Sequence, residues 1–295
     1  MDSQSFTATI LVTGSNGQLG NELRSISKNY AQYQFLFASR HDLSIENTES
    51  LHSFFMKNHI DYCINCAAYT AVDKAESERD LAFEINANAV GELAKICSEH
   101  RTKFIHISTD YVYDGSSGVA LKEDSLVGPV NIYGASKLEG ERLALRNNPS
   151  TLIIRTSWVY SSYGNNFVKT MIRLLTEKDE INVINDQLGS PTYAADLARV
   201  IMKFVEQTGK GKSFSGIINY SNAGVTTWYD FAEEIKSQIH SDCKINPIPT
   251  SSYPTPAKRP LYSVLDTSKI KELLQIEIPS WKESLKKCTG FFNAK

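Results

Sequence analysis

Short apolar runs rich in β-branched residues alternate with amphipathic helical patterns through the first half of the chain, and this alternation limits the possible folds most strongly. The runs are ATILVT, FLFAS, YCINCA, KFIHIST and TLIIRTSWVY, and a stretch with helical periodicity follows each of the first four. Near-continuous apolar strands separated by helices are typical of a parallel sheet covered on both faces. The sequence therefore predicts an α/β fold with a doubly wound parallel sheet.

Three glycines, Gly14, Gly17 and Gly20, lie between the first apolar run and the first helical pattern. Glycines at such a junction permit a tight turn, close approach of the backbone to a phosphate, and close packing of helix on strand. The N-terminus of the following helix offers free N–H groups and a partial positive charge to a pyrophosphate. The spacing G-x-x-G-x-x-G is one residue longer in its first interval than the usual fingerprint, and no Lys-Ser or Lys-Thr follows it as in a P-loop. We therefore predict a Rossmann-type dinucleotide site.

The loop ASRHDL, about twenty residues after the glycines, indicates which dinucleotide binds. An acidic residue usually meets the ribose hydroxyls at this point, whereas an arginine accommodates a 2′-phosphate. Arg40 occupies that place, so we expect NADPH as the cofactor. Asp42 follows two residues later and leaves acceptance of NADH open.

The second half of the chain has a different pattern, which predicts a second lobe. Helical stretches and short strands follow Tyr160, together with the proline-rich loop NPIPTSSYPTPAKRPLYS, which is too irregular for a helix or a central strand. We expect residues 1–160 to form the dinucleotide-binding domain and residues 161–295 to form mainly a smaller, interwoven C-terminal α/β lobe that binds substrate. Later segments, about 181–206, are expected to return to the first domain.

The composition narrows the class of partner. With 31 lysines and arginines against 33 acids, the net charge of −2 offers no broad basic field, so we expect a small-molecule partner, no nucleic acid and no membrane. The C-x-x-C of Cys63 and Cys66 lies in an apolar run and lacks a second ligand pair, so we interpret it as two core thiols rather than a zinc site. We find neither a signal-peptide pattern nor a run of about 18 apolar residues, and therefore expect a cytoplasmic protein.

Tyr133 and Lys137 stand four residues apart at the start of the helical stretch YGASKLEGERL. This spacing places both side chains on one helix face. A cation close to a phenol favours phenolate and lowers the pKa of a tyrosine, so we expect Lys137 to make Tyr133 an effective proton donor or acceptor. The polar turn STDY, at the end of the run KFIHIST, is expected at the carboxyl end of a parallel strand, where such folds bind ligands.

Taken together, these motifs resemble the extended short-chain dehydrogenase/reductases. Further blocks, namely NCAAYTAVDKAE, STDYVYDG, NIYGASKLEGE, RTSWVY, GNNFVKTM, DQLGSPTYAADLA and KRPLYSVLDTSK, are similar to those of the dTDP-4-dehydrorhamnose reductase family. The resemblance runs from about residue 8 to about residue 270.

The resemblance implies a catalytic set of Thr109, Tyr133 and Lys137. It implies cofactor binding by Gly14, Asn16, Gly17, Gln18, Leu19, Gly20, Arg40, Asp42, Leu43, Ala67, Ala68, Tyr69, Thr70, Tyr133 and Lys137. It implies substrate binding by Thr109, Asp110, Tyr111, Trp158, Asn166 and Arg259, and a structural role for Asn86. No metal is expected, because the tail SWKESLKKCTGFFNAK carries Glu283 as its only acid.

The implied reaction is reduction of the C4 ketone of dTDP-4-dehydro-β-L-rhamnose to dTDP-L-rhamnose, the last step of dTDP-rhamnose biosynthesis for cell-surface polysaccharide. The implied partner is thus a dTDP-sugar, and a homodimer is one possible assembly. Two alternatives stay open. One is a catalytically silent NADP-binding regulatory subunit like the methionine adenosyltransferase β subunit. The other is a related nucleotide-sugar epimerase or dehydratase, for which Asp110 would serve as the acid/base carboxylate.

Overall fold

The computed structural model describes residues 7–293, and its regular elements follow the predicted alternation. The strands are β1 (Ala8–Thr13), β2 (Tyr33–Ala38), β3 (Tyr62–Asn65), β4 (Lys103–Thr109), β5 (Leu152–Thr156), β6 (Val159–Tyr160), β7 (Glu180–Ile184), β8 (Leu188–Gly189), β9 (Thr192–Tyr193), β10 (Gly216–Asn219), β11 (Thr226–Thr227) and β12 (Lys244–Ile248). The α-helices are α1 (Gln18–Ser27), α2 (Thr48–Lys57), α3 (Val72–Ala75), α4 (Arg79–Phe83), α5 (Ala89–Glu99), α6 (Ile132–Asn147), α7 (Phe167–Glu177), α8 (Ala194–Gly209), α9 (Trp228–Ile239), α10 (Ser268–Leu274) and α11 (Trp281–Asn293).

The main sheet has six parallel strands in the order β2-β1-β3-β4-β5-β10. In β1, Ile10 pairs with Phe35 of β2 on one side and with Tyr62 of β3 on the other. Parallel neighbours need crossover connections, and helices supply them on both faces. The predicted fold class, a doubly wound Rossmann-type sheet with a smaller C-terminal α/β part, is confirmed.

Both faces of the sheet are buried, and the alternation of side chains along β1 shows why the strands are apolar throughout. Ile10 and Val12 point to a core that includes Leu23 of α1 and Leu197 of α8. Leu11, between them, points to the opposite core with helices α2 and α5. Burying an aliphatic side chain of this size contributes about 1.5–3 kcal/mol. The strands therefore require apolar residues at consecutive positions rather than at alternate ones.

A π-helical turn, Glu84–Asn88, interrupts the long helical stretch between α4 and α5. It contains the fully buried Asn86, whose side-chain oxygen accepts the N–H of Tyr69 and whose amide donates to the Tyr69 carbonyl and to Ser136 of α6. Such bulges are frequent at functional sites because they reorient one side chain. Here Asn86 fixes the loop after β3 against the helix that carries Tyr133.

The remaining short strands form three two-stranded sheets: β7 with β12, β6 with β9, and β8 with β11. The first two of these sheets, together with α7, α9 and α11, surround a separate apolar cluster that includes Val168, Phe231, Ile245 and Leu285. Between these elements the chain returns to the main sheet, since α8 packs on α1 and β10 is an edge strand. The division at residue 160 into two domains stays a prediction.

None of the helices within residues 7–293 combines the length and the apolar character that crossing a lipid bilayer requires.

Candidate active site

A cavity of about 980 Å³ lies at the carboxyl ends of the main strands, where doubly wound sheets bind ligands. Most of the residues predicted to form the site line this one cavity. They are Gly14, Asn16, Gly17, Gln18, Leu19, Arg40, Leu43, Ala67, Ala68, Thr70, Thr109, Asp110, Tyr111, Tyr133, Lys137 and Trp158. Five predicted residues are not part of its lining: Gly20, Asp42, Tyr69, Asn166 and Arg259.

The glycine turn after β1 packs so closely against neighbouring backbone that two of its positions leave no room for a side chain. Gly14 has φ +64°, and a Cβ on it would lie 2.5 Å from the backbone nitrogen of Ala67. A Cβ on Gly20 would lie 2.6 Å from the Cα of Ser15, so Gly20 permits close packing rather than contact with a ligand. Helix α1 begins after Gly17 without any side-chain cap, which leaves its first N–H groups available. This turn fits a pyrophosphate by charge and by space.

The loop after β2 differs in part from the prediction. Arg40 lines the cavity, with its side chain 71% exposed, and its guanidinium lies 3.0 Å from the carboxylate of Glu46, which lines the cavity too. The carboxylate of Asp42 instead accepts hydrogen bonds from the N–H and the hydroxyl of Ser39, which lower the pKa of Asp42. Sequence reasoning missed Glu46. The only available signal was a second acid four residues after Asp42.

The loop after β3 presents Ala67, Ala68 and Thr70 to the cavity. The ring of Tyr69 points elsewhere, and its hydroxyl donates to Glu78 at 2.7 Å. Only the backbone of Tyr69, held by Asn86, takes part in shaping the loop.

Thr109 and Asp110 form the end of β4 and the beginning of a short 3₁₀ turn. The Thr109 hydroxyl donates to Asp110 Oδ1 at 3.0 Å and accepts the N–H of Tyr111. Asp110 Oδ2 is buried, and no group of the described residues meets it in good hydrogen-bond geometry, although the Ser263 hydroxyl is close enough to oppose the rise in the Asp110 pKa. Burial raises the pKa of Asp110 to about 6. A carboxylate oxygen without a well-placed partner, in a residue that lines a cavity, is suited to a ligand hydroxyl.

Helix α6 places Tyr133 and Lys137 against the same cavity. Asn131 caps the helix by accepting the N–H of Gly134 at 2.7 Å, and a Cβ on Gly134 would lie 2.1 Å from the carbonyl oxygen of Tyr111. Glycine thus lets the helix approach the STDY turn. The Tyr133 ring packs edge-on against the Tyr111 ring, with centroids 5.7 Å apart.

The expected effect of Lys137 on Tyr133 is wrong for this structure. Burial raises the pKa of Tyr133 to about 12; a hydrogen bond with Thr109 opposes that rise, and the charge of Asp110 adds to it. Lys137 is not among the groups that shift the pKa of Tyr133. Its ammonium donates to the carbonyl oxygen of Ile107 at 2.7 Å, because a side chain that is only 2% exposed must satisfy its donors internally. Tyr133 is therefore a protonated phenol at neutral pH.

Trp158 lines the cavity as predicted, in an unusual conformation. Its φ is +47°, and its ring stacks on Trp228 with centroids 3.5 Å apart and planes 8° apart. Gly189 makes room for the ring, since a Cβ there would lie 2.5 Å from it. Trp228 also lines the cavity and was not found from the sequence, where it is one aromatic residue in an ordinary helical pattern.

Asn166 and Arg259 are engaged with protein groups. Asn166 caps α7, and its amide donates to Gln18 Oε1 at 2.9 Å, which links the second lobe to the glycine turn. Arg259 forms a two-point ion pair with Asp73 at 3.0 and 2.8 Å. Ligand binding by these two residues stays a prediction, as do the individual roles of the others.

Comparison with known proteins decides the family. The family model described as "RmlD substrate binding domain" matches residues 8–292. A dTDP-4-dehydrorhamnose reductase of Aggregatibacter actinomycetemcomitans is 38% identical over 291 residues, which are 96% of this chain and 99% of that protein. The chain belongs to the dTDP-4-dehydrorhamnose reductase family. The resemblance found in the sequence motifs is thereby confirmed.

Two crystal structures of dTDP-4-dehydrorhamnose reductases support the same family assignment. The structure from Clostridium acetobutylicum has a TM-score of 0.91 at 40% identity, and the one from Bacillus anthracis, in complex with NADP, has 0.91 at 38%. Each comparison covers 97% of this chain and 99% of the other. The likeness to the dTDP-4-dehydrorhamnose reductase family thus includes the C-terminal segments as well as the sheet.

Proposed function

We propose that this protein uses NADPH to reduce the C4 ketone of dTDP-4-dehydro-β-L-rhamnose to dTDP-L-rhamnose, the last step of dTDP-rhamnose biosynthesis. The observation that carries the proposal is the convergence of Thr109, Tyr133 and Lys137 with the glycine turn on one cavity. Membership of the reductase family supplies the substrate class. The catalytic residues are all present, which favours an enzyme over a silent regulatory subunit.

The residues that would hold the cofactor all line the cavity. The backbone of the turn from Gly14 to Gln18 would bind the pyrophosphate at the start of α1. Arg40 would bind the 2′-phosphate, and Lys137 would lie on the nicotinamide ribose. When bound, NADPH supplies the hydride that adds to the ketone carbon.

Two protein groups would stabilise and protonate the oxygen of the reacting ketone. As C4 gains the hydride, the π electrons of the C=O bond move to oxygen, and the Tyr133 phenol gives its proton to that oxygen. The Thr109 hydroxyl would donate a hydrogen bond to the same oxygen. Positioned acid catalysis of this kind contributes about 10²–10⁴-fold in rate. The raised pKa of Tyr133 suits this direction, since it keeps the phenol protonated before the transfer.

The sugar nucleotide would occupy the side of the cavity formed by the STDY turn and the second lobe. Asp110 Oδ2, which lacks a well-placed partner among the described residues, would accept a sugar hydroxyl, and Tyr111 would border the same sugar. The stacked rings of Trp158 and Trp228 would form an aromatic wall. Arg259, in the proline-rich loop, would need to share its guanidinium between Asp73 and a diphosphate.

A spectrophotometric assay tests the proposal. We expect oxidation of NADPH, and more slowly of NADH, when dTDP-4-dehydro-L-rhamnose is supplied, with dTDP-L-rhamnose as the product; a UDP analogue in parallel would report nucleotide specificity. Cofactor that binds but is not oxidised at any pH would support the regulatory alternative. Loss of water or an epimerised product without net oxidation would support the dehydratase or epimerase alternative.

Whether the protein acts as a homodimer is a separate proposal. Light scattering coupled to size-exclusion chromatography, with and without NADPH, would decide it.

A further inference from the structure

A buried chain of hydrogen bonds leads from β1 through β3 and β4 to Lys137. The Thr13 hydroxyl donates to Asn65 Oδ1 at 2.6 Å, and Asn65 Nδ2 lies 3.1 Å from His106 Nδ1. His106 Nε2 in turn lies 3.3 Å from Lys137 Nζ. Thr13, Asn65 and His106 are fully buried and Lys137 is 2% exposed. No step of the proposed reaction uses His106.

The neighbours of Asn65 determine the tautomer of His106. The backbone N–H of Ala67 donates to Asn65 Oδ1 at 3.1 Å, and a backbone N–H can only donate, so this atom must be the amide oxygen. The other amide atom, which faces His106, is therefore the NH₂ group. Because that group donates to Nδ1, the neutral imidazole carries its proton on Nε2.

This tautomer directs an N–H bond toward the Lys137 nitrogen. An ammonium has three donors and no acceptor, so it cannot accept that bond, whereas a neutral amine can. Lys137 already uses one hydrogen on the Ile107 carbonyl at 2.7 Å. His106 is itself kept neutral, because burial and the Lys137 charge lower its pKa well below the ordinary value.

The other ionisable groups around Lys137 do not cancel this effect. Glu141 lies one helical turn further along α6, but its carboxylate is already paired with Arg155. Cys66 lies beyond β3 and is held as a thiol, because burial raises its pKa. Tyr133, one turn earlier, is protonated. Burial lowers the pKa of Lys137 to about 8, although the charge of Glu141 opposes that fall.

We propose that His106 is a positioning residue: its Nε2–H, directed at Lys137 Nζ, weakens the hold of Lys137 on its proton. The charged form of Lys137 is the one that would attract the hydroxyl oxygens of the nicotinamide ribose. Cofactor binding and turnover would therefore depend on a protonation of Lys137 that His106 disfavours from inside the sheet. This functional consequence rests on the proposed function, whereas the hydrogen-bond assignment and the titration of Lys137 do not.

Nuclear magnetic resonance of the wild-type protein tests the geometry without substrate. With ¹⁵N-labelled histidine, the His106 resonances are expected to show a protonated Nε2 and an unprotonated Nδ1 throughout neutral pH. The opposite tautomer, or a doubly protonated ring, would overturn the proposal. This measurement needs no variant and so does not depend on how a substitution folds.

Titration of Lys137 tests the consequence. With ¹³C-labelled lysine, and the Lys137 signal identified by its absence in Lys137→Met, we expect a midpoint near pH 8. His106→Asn retains an amide that reaches Asn65 but is too short to reach Lys137, and should raise the midpoint by about one pH unit, a tenfold change in proton affinity. His100→Asn is the matched control at the end of α5 and should leave the midpoint unchanged. An unchanged titration midpoint of Lys137 in His106→Asn would contradict the proposal.

The pH dependence of kcat separates this role from a structural one. Activity that needs protonated Lys137 is lost as the pH rises through the pKa of Lys137. His106→Asn should therefore move the alkaline fall in kcat to higher pH. A residue that only supports the fold would lower kcat at every pH and leave the alkaline fall in place. The inference stands if the alkaline fall in kcat and the titration midpoint of Lys137 move to higher pH together. If the keto sugar is not reduced at all, the proposed function fails, but the titration of Lys137 still tests the role of His106.

Discussion

Glu141 and Arg155 form a two-point ion pair inside the protein, directly beneath the STDY turn. Arg155 Nε lies 2.9 Å from Glu141 Oε1 and Nη2 lies 2.6 Å from Oε2, and each side chain is 2% exposed. The pair is extended by Ser108, which donates to Glu141, and by Tyr113, whose hydroxyl accepts from Arg155 at 2.7 Å. Helix α6 and strand β5 are thereby joined to Ser108, the first residue of the STDY turn, and to Tyr113, which follows the turn.

We expect Glu141→Gln to lower the free energy of unfolding by about 3–5 kcal/mol, because it leaves the Arg155 charge buried without its partner. The double variant Glu141→Gln/Arg155→Met should recover most of this loss, since no unpaired charge then remains. Urea unfolding measures both. The exposed pair of Arg173 and Glu177 on α7 provides the control, and Glu177→Gln should cost about 0.5 kcal/mol or less. Equal costs for the two single variants would contradict this view of the buried pair.

Tyr133→Phe should lower kcat by about 10²–10⁴-fold, because it removes the proton donor and little else. The dissociation constant for NADPH should stay close to the wild-type value, which fluorescence titration measures. Tyr229→Phe, on a half-buried tyrosine of α9, is the control and should retain full activity. Near-normal turnover by Tyr133→Phe would remove this residue from the mechanism.

Local patterns in the sequence were sufficient to predict the framework and the positions at strand ends. The parallel sheet, the glycine turn and the placement of Thr109 at the end of β4 all depend on short-range patterns, which one sequence displays. Spacing on a helix also placed Tyr133 and Lys137 correctly on one face. It could not show where the ammonium points, because that depends on a carbonyl of β4 thirty residues away.

The partners that sequence reasoning missed are long-range. Trp228 reaches Trp158 across 70 residues, and the Asp73 partner of Arg259 is 186 residues distant. His106 occupies an ordinary position in a buried strand, and only the neighbouring strands and α6 reveal its contacts. Such pairings are set by tertiary packing, for which hydrophobic periodicity carries no signal.

Asp110→Asn should make the folded protein more stable at neutral pH while weakening substrate binding. Burial raises the pKa of Asp110 from its ordinary 3.8 to about 6, so the ionised carboxylate destabilises the folded state at every pH above 3.8, and fully above 6. The gain from Asp110→Asn, measured by urea unfolding, should therefore be largest at pH 7 and fade as the pH falls toward 3.8. The KM for the dTDP-sugar should rise in the variant, because the amide cannot replace both carboxylate oxygens. A gain from Asp110→Asn that is as large at pH 4 as at pH 7 would contradict the assignment.

Glu46→Gln should shift the cofactor preference toward NADPH. In the protein as it stands, the Glu46 carboxylate lies 3.0 Å from the Arg40 guanidinium, so a 2′-phosphate must compete with it and is repelled by its charge. The amide keeps the shape of the side chain but removes both effects, so kcat/KM for NADPH should rise and that for NADH should fall or stay constant. Arg40→Ala should do the opposite and lower kcat/KM for NADPH more than for NADH. Glu139→Gln, which disrupts a comparably exposed pair with Arg142 on α6, is the matched control and should leave the ratio of the two values unchanged. An unchanged ratio in Glu46→Gln would show that Arg40 does not meet the 2′-phosphate.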